Sequence, residues 1–253
     1  MELLFLGTGA ADWSPEFKEE KDYRRFSSAL LDGNLLIDPG PHIFDFEESF
    51  GYQNLFENVR HILLTHSHED HLDAGSVKQL CQKQERQLWC NEGAVHRIET
   101  TKGLTVQVLP LYTPTVFGEY TVTAVPANHK VSSSNEQCVH YIIERDGKRL
   151  FYGCDGGWLL YETWLYLQKL QFDCMVLEGT LGDVIGDERI FGHNNLRMVE
   201  LLAETLRKYG TLKAGGQIWI SHLSRYTHDL QQSVVERRLA VSDIHVAYDN
   251  CRI

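Results

Sequence analysis

The sequence predicts a layered α/β sandwich built as one domain over residues 1–253. Short β-like segments recur along the whole chain with helices between them, and the first half is rich in strands while the second alternates helix and strand. The histidines of interest fall immediately after strands, where the loops of such sandwiches assemble sites. A length of 253 residues with 43% hydrophobic and 23% charged residues suits one sizeable core, and no linker or internal repeat divides it.

Leu3 to Leu6 reads as a short buried strand ending at Gly7-Thr8-Gly9. An irregular, charged insertion from Asp12 to Arg25 follows, and then Ser28 to Asp38 reads as a hairpin turning at Asp32-Gly33-Asn34. Val59 to Leu64 is the next strand. Asp70 to Gln82 has helical spacing, with Leu72, Val77 and Leu80 on one face, so Thr65 to His71 lies in a strand-to-helix turn. Strands are predicted at Gln87 to Cys90, Thr105 to Leu111 and Glu119 to Val125, and a hairpin joins Val139 to Glu144 with Arg149 to Tyr152 through Asp146-Gly147. The rest alternates: helix Leu159 to Leu170, strand Cys174 to Leu177, helix Asn195 to Tyr209, strand Gln217 to Ile220, helix Asp229 to Leu239 and strand Ile244 to Tyr248.

The formal charge of −11 disfavours a partner held through a nucleic-acid backbone. A small anion stays compatible, because bound cations reverse the local field. The six cysteines form no CxxC pair and read as reduced, mostly buried thiols. The N-terminus lacks the pattern of a signal peptide and no run is long and apolar enough to span a membrane, so a cytoplasmic location is the expectation.

The sharpest chemical signal is Thr65-His66-Ser67-His68-Glu69-Asp70-His71. His66, His68, Asp70 and His71 fall within six positions of one turn, and imidazole with carboxylate suits zinc, manganese or iron. The pattern His66-x-His68-x-Asp70-His71 after an apolar strand resembles the signature of the metallo-β-lactamase superfamily. Further matches follow in order: Asp38 in Ile37-Asp38-Pro39-Gly40, His129 in Ala127-Asn128-His129, Asp155 in Gly153-Cys154-Asp155-Gly156, and His222 in Ile220-Ser221-His222. The resemblance covers essentially the whole chain and implies a four-layer αββα sandwich.

It also implies two divalent metal ions. His66, His68 and His129 would hold one, Asp70, His71 and His222 the other, and Asp155 would bridge them. Asp38 would orient a ligand histidine from behind, although a plain turn role before Pro39-Gly40 is the alternative. Two such ions lower the pKa of a bridging water and clamp the oxygens of a displacement at phosphorus, chemistry that favours phosphodiesters. His42, His61, His96, His140 and His245 match nothing in the pattern.

Glu178-Gly179-Thr180 followed by Phe191-Gly192-His193-Asn194-Asn195 resembles the phosphodiesterase branch of that superfamily, with His193 as proton donor, Asp70 orienting the attacking water and Glu178 orienting His193. The alternative is that His193 only flanks the helix starting at Asn195. Tyr23-Arg24-Arg25-Phe26-Ser27-Ser28 is similar to the same stretch in the cyclic phosphate phosphodiesterases of phosphonate degradation, which would place Arg24 and Arg25 at a ribose phosphate. An exposed basic patch is the alternative, and the cysteines that hold an extra structural zinc in that family are missing from this insertion. His228 reads as part of a helix start, Cys154 as a buried residue beneath the site, and Trp158 and Trp164 as core or pocket wall.

The resemblance thus implies a dinuclear hydrolase for a small cyclic ribose phosphate or nucleotide-like diester, acting as a homodimer. Transfer RNA processing endonucleases share the ligands but use a long basic arm that is not visible here. A thioesterase or lactonase uses a related site.

Overall fold

The computed structural model describes residues 1–132, 134–227 and 231–253. Two mixed sheets form. The first runs in chain order through β1 (Leu3–Gly7), β2 (Ser28–Leu31), β3 (Leu35–Ile37), β4 (His61–Leu63), β5 (Arg86–Cys90) and β6 (Leu104–Val108). Its first three strands are antiparallel, and β3 to β6 are parallel. The second contains β7 (Thr115–Phe117), β8 (Tyr120–Pro126), β9 (Val139–Arg145), β10 (Lys148–Gly153), β11 (Phe172–Glu178), β12 (Leu212–Ser221) and β13 (His245–Val246), also in chain order from one edge. Here β7 to β10 are antiparallel and β10 to β13 parallel.

The alternation of side chains along each strand sorts them into layers. Leu3, Phe5, Leu35 and Ile37 of the first sheet meet Tyr141, Ile143, Leu150, Tyr152 and Val176 of the second in one shared core. The intervening Leu4, Leu6 and Leu36 face outward onto Phe46 of helix α1 (Asp45–Phe50) and onto Val77 and Leu80 of helix α2 (Ala74–Leu80). On the other side, Ile142, Phe151, Met175 and Leu177 pack on helices α3 (Tyr161–Leu167), α4 (Leu196–Lys208) and α5 (Gln232–Ala240). The order is helix, sheet, sheet, helix. Strands covered on both faces have to be apolar at every position, which is why β1 and β3 read as continuous hydrophobic runs.

Helix α4 shows the local code well. Leu196, Val199, Leu202, Ala203 and Leu206 recur on the face against the sheet, the Asn195 side chain accepts from Met198 N at 2.9 Å, and Arg207 and Lys208 occupy the last turn.

Several boundaries differ from the sequence expectation. Helix α2 begins at Ala74, capped by Asp73, because Asp70 and His71 turn inward before any helix can form. The short α1 and β7 were not anticipated. Strand β12 starts five residues early, at Leu212, and β13 keeps only two residues of the predicted five. The expected helix from Asp229 is seen from Gln232 onward, and the His228 reading falls outside the described residues. The 12–25 insertion holds one 3-10 turn, Pro15–Phe17, and is pinned beside the end of β12: Asp12 accepts from Ser224 Oγ at 2.5 Å and from Arg225 N at 3.0 Å, and the buried Trp13 indole donates to Leu223 O at 2.8 Å. Among the described residues no helix is long and apolar enough to cross a membrane.

Candidate metal centre

Every candidate ligand leaves the C-terminal end of a strand or the loop just beyond it. The β4-to-α2 loop supplies His66, His68, Asp70 and His71, while Asp38 follows β3, His129 follows β8, Asp155 follows β10 and His222 follows β12. Three of these strand ends are bent the same way: Asp38, Asp155 and His222 have φ of 57°, 55° and 56°. A left-handed residue at the edge reverses the strand and turns its side chain back toward the gap between the sheets, a conformation that a residue with a Cβ seldom adopts.

The donor atoms fall into two main groups that share one carboxylate, and a third grouping joins Asp155 and His222 to His193. His66 Nε2, His68 Nδ1 and His129 Nε2 converge with Asp155, and Asp70, His71 and His222 form the other group. Asp155 Oδ2 lies 3.2 Å from His66 Nε2, 3.3 Å from His129 Nε2, 3.5 Å from His71 Nε2 and 3.7 Å from His222 Nε2. Asp70 Oδ2 lies 3.4 Å from His71 Nε2 and 3.6 Å from His222 Nε2.

The far ring nitrogens fix the tautomers. His71 Nδ1 donates to Asp38 Oδ2 at 2.9 Å, and His129 Nδ1 donates to Gly192 O at 3.3 Å. Thr65 Oγ1 donates to Asp38 Oδ2 at 2.9 Å and so accepts from His66 Nδ1 at 3.0 Å. Likewise Thr180 Oγ1 donates to Glu178 and accepts from His222 Nδ1 at 2.8 Å. With one proton each, these four rings would turn the lone pair of the inward nitrogen toward the cluster. His66 Nε2 stands 2.9 Å from His68 Nδ1, His129 Nε2 stands 3.2 Å from His68 Nδ1, and His71 Nε2 stands 3.3 Å from His222 Nε2. Imidazole nitrogens and carboxylate oxygens gathered this closely, on rings oriented from behind by outer partners, form a donor set that fits divalent metal ions.

The electrostatics differ across the cluster. Burial, helped by the neighbouring His71, pushes the His66 pKa down to about 3, and burial also lowers that of His68. For His71, burial acts the same way but the Asp70 and Asp38 carboxylates outweigh it and hold its pKa well above the ordinary value. Burial raises Asp155 and Asp70, and the surrounding imidazoles overcome it and hold both well below the usual carboxylate range.

His193 stands at the rim. Its Nδ1 is 3.1 Å from Asp155 Oδ1 and 3.8 Å from Glu178 Oε2, and its ring lies nearly parallel to that of His222. Burial would lower its pKa, but the two carboxylates lift it to about 10. Glu178 is fully buried and accepts from Thr180 N at 2.7 Å and from Asn194 N, so it ties the end of β11 to the His193 loop.

Arg24 and Arg25 take places that differ from the substrate contacts expected of them. Arg24 is buried and donates to Thr8 Oγ1 and Ala247 O, both at 2.8 Å, and to Gln232. Arg25 pairs with Asp249 at 3.2 Å, donates to Ser49 Oγ at 2.7 Å and covers the Phe50 ring. None of these partners belongs to the donor cluster. Both arginines fasten the insertion to the C-terminal segment.

Three positioning residues escaped the sequence reading. Thr65 and Thr180 are the hydroxyl links just described. The third is the buried Glu136, which accepts from Ser67 N at 2.8 Å and Ser67 Oγ at 2.5 Å and so clamps the residue between His66 and His68. Thr65 and Thr180 stood beside recognised residues, whereas nothing local marks Glu136, 69 positions from Ser67.

A family model described as the beta-lactamase superfamily domain matches residues 33–213, a span that holds every candidate above except His222 and the two arginines. Solved structures with the same fold include the metallo-beta-lactamase fold protein YhfI from Bacillus subtilis, at 16% identity and a TM-score of 0.75, covering 100% of this chain and 98% of that one. Zn(2+)-bound PqqB from Methylobacterium extorquens aligns at 17% identity and a TM-score of 0.80, covering 100% and 99%. Human tRNase Z, short form (ELAC1), aligns at 19% identity and 0.69, covering 100% and 98%. At these identities the likeness is one of fold. No match was found among curated proteins.

Proposed function

The chain belongs to the metallo-β-lactamase superfamily of metal-dependent hydrolases, and on that premise we propose that it is a phosphodiesterase for a small cyclic ribose phosphate or nucleotide-like diester. The observation that supports this reading is His193, which lies outside the His66, His68, His129 and the Asp70, His71, His222 groups, although it also clusters with Asp155 and His222, and whose Nδ1 faces Asp155 Oδ1 at 3.1 Å and Glu178 Oε2 at 3.8 Å. Divalent ions in the cluster would supply Lewis acidity and water activation. The protein's own contribution is orientation and proton management. With Nδ1 facing two carboxylates, His193 keeps its proton there and presents Nε2 to a departing alkoxide as a general acid. Asp70 Oδ2 faces the same space and is placed to accept a hydrogen bond from the attacking water. Burial of His66, His71, Asp155 and His222 keeps bulk water out and strengthens each of these interactions.

The charge of −11 favours a small diester over RNA. The test is hydrolysis of a phosphoribosyl cyclic phosphate and of bis(p-nitrophenyl) phosphate by zinc-loaded and manganese-loaded protein, with His193→Ala in parallel. Turnover that falls by roughly 100-fold or more in the variant at unchanged metal content agrees with the acid role. No phosphodiester turnover with either metal overturns the proposal, and rapid cleavage of a thioester or lactone in its place moves the chemistry to carbonyl carbon.

A further inference from the structure

Beside the metal centre a cavity of about 470 Å³ opens between α3 and α4, lined by Asn128, Trp158, Tyr161, Trp164, Leu202 and Leu206. Two of its aromatic walls stand in solvent, Trp158 at 43% and Tyr161 at 68% exposure. Large exposed rings around a concave apolar floor mark a place where something planar and apolar is received.

The cavity adjoins the cluster through one tight junction. Asn128 immediately precedes His129, and Trp158 follows Asp155-Gly156-Gly157. Gly157 N donates to Asn128 O at 3.1 Å. A Cβ at position 157 would lie 3.0 Å from His193 N, 3.1 Å from Gly192 C and 3.4 Å from Asn128 Nδ2. The loops carrying His129, Asp155 and His193 therefore touch at Gly157, and the cavity begins at the residues flanking that contact.

Its one side-chain amide has work left to do. Asn128 is half-buried, and among the described residues its side chain makes no hydrogen bond. An amide presents a donor and an acceptor side by side, the pattern that pairs with the edge of a nucleobase, while indole and phenol rings supply stacking surfaces. A bare sugar phosphate would leave both features unused.

We propose that this cavity is a base subsite: it takes the planar heteroaromatic ring of a nucleotide diester, stacked on Trp158 with its polar edge toward Asn128. The placement of the phosphate at the metal cluster rests on the preceding reading, so the test measures binding and needs no turnover. The affinities of adenosine 5′-monophosphate and ribose 5-phosphate for the zinc-loaded protein are compared by titration calorimetry. The nucleotide is expected to bind about 10-fold or more tightly. Trp158→Ala should bring the ratio close to one. So should Thr205→Trp, which fills the cavity from an exposed helix position, with circular dichroism and zinc content unchanged.

Equal affinities, no binding of the nucleotide, or a ratio that both variants leave intact overturns the proposal. So does a concentration-dependent dimer that Thr205→Trp abolishes without any nucleotide preference, which would make the cavity a contact between copies. A base preference without phosphodiester turnover would keep the subsite and reject the phosphodiesterase. Turnover without a base preference would do the reverse.

Discussion

The two donor groups of the cluster share Asp155 and differ in almost everything around it. The group of His66, His68 and His129 is three imidazoles, two of them half-buried, and its outer contacts are a threonine hydroxyl and the Gly192 carbonyl. The group of Asp70, His71 and His222 is wholly buried and carries a second carboxylate of its own. Behind it stand two more, Asp38 directly on His71 and Glu178 on His222 by way of Thr180, while the first group meets Asp38 only indirectly, on His66 by way of Thr65. An ion in the second group meets more negative charge at lower dielectric, and one in the first group meets solvent. The lesson is that the donors and the residues behind them would hold an ion in the second group more firmly than one in the first.

The strongest way to break this contrast is to remove what the halves share. Asp155→Ala should lose metal from both, with an affinity drop beyond the roughly 10- to 100-fold of an outer-layer change, read by elemental analysis after gel filtration. Next in size are the one-sided changes. His68→Ala should keep one ion and Asp70→Asn should keep the other, and graded chelation of the wild type should release two ions in separate phases, the His68 ion first. A single phase would erase the distinction.

Acid should narrow the contrast and can invert it. In the metal-free fold His71 sits well above the ordinary imidazole pKa and is protonated near neutrality, so metal must displace its proton, whereas His66, at about 3, is already neutral. Lowering pH from 8 to 6 should therefore weaken the buried position by up to about tenfold per unit and leave His66 unaffected. Titration in buffers of different ionisation enthalpy reads the proton released. The smallest effect is expected from the hydroxyl links: Thr180→Val should weaken the buried ion and Thr65→Val the exposed one, each by about tenfold.

These contrasts show what the sequence could and could not carry. The candidate donors were legible because they stand in loops that directly follow apolar strands, and strand ends are local features. Their sorting into an exposed and a buried group was not, since it depends on Asp38, Thr180 and Glu178 arriving from distant strands. His68 offers Nδ1 where the other imidazoles offer Nε2, a choice that only the bend of the loop decides. Arg24 and Arg25 announced charge but not its destination, because Thr8, Ala247, Gln232 and Asp249 reach them from both ends of the chain. Helix α1 did leave a trace, Gly51 in the left-handed conformation that closes it at φ 72°, after three acidic residues.

The left-handed strand ends at Asp155 and His222 have a consequence for how this protein would evolve. A side chain in that conformation costs roughly 1 kcal/mol or more relative to glycine, so the backbone there is held away from its optimum for the sake of the pointing direction. Without metal, His222→Gly should melt at higher temperature than the parent, whereas Asp155→Gly also removes the carboxylate that faces His71 and His193 and should not. A library selected for heat resistance in chelator would then discard the active centre first at His222, where activity and durability pull in opposite directions.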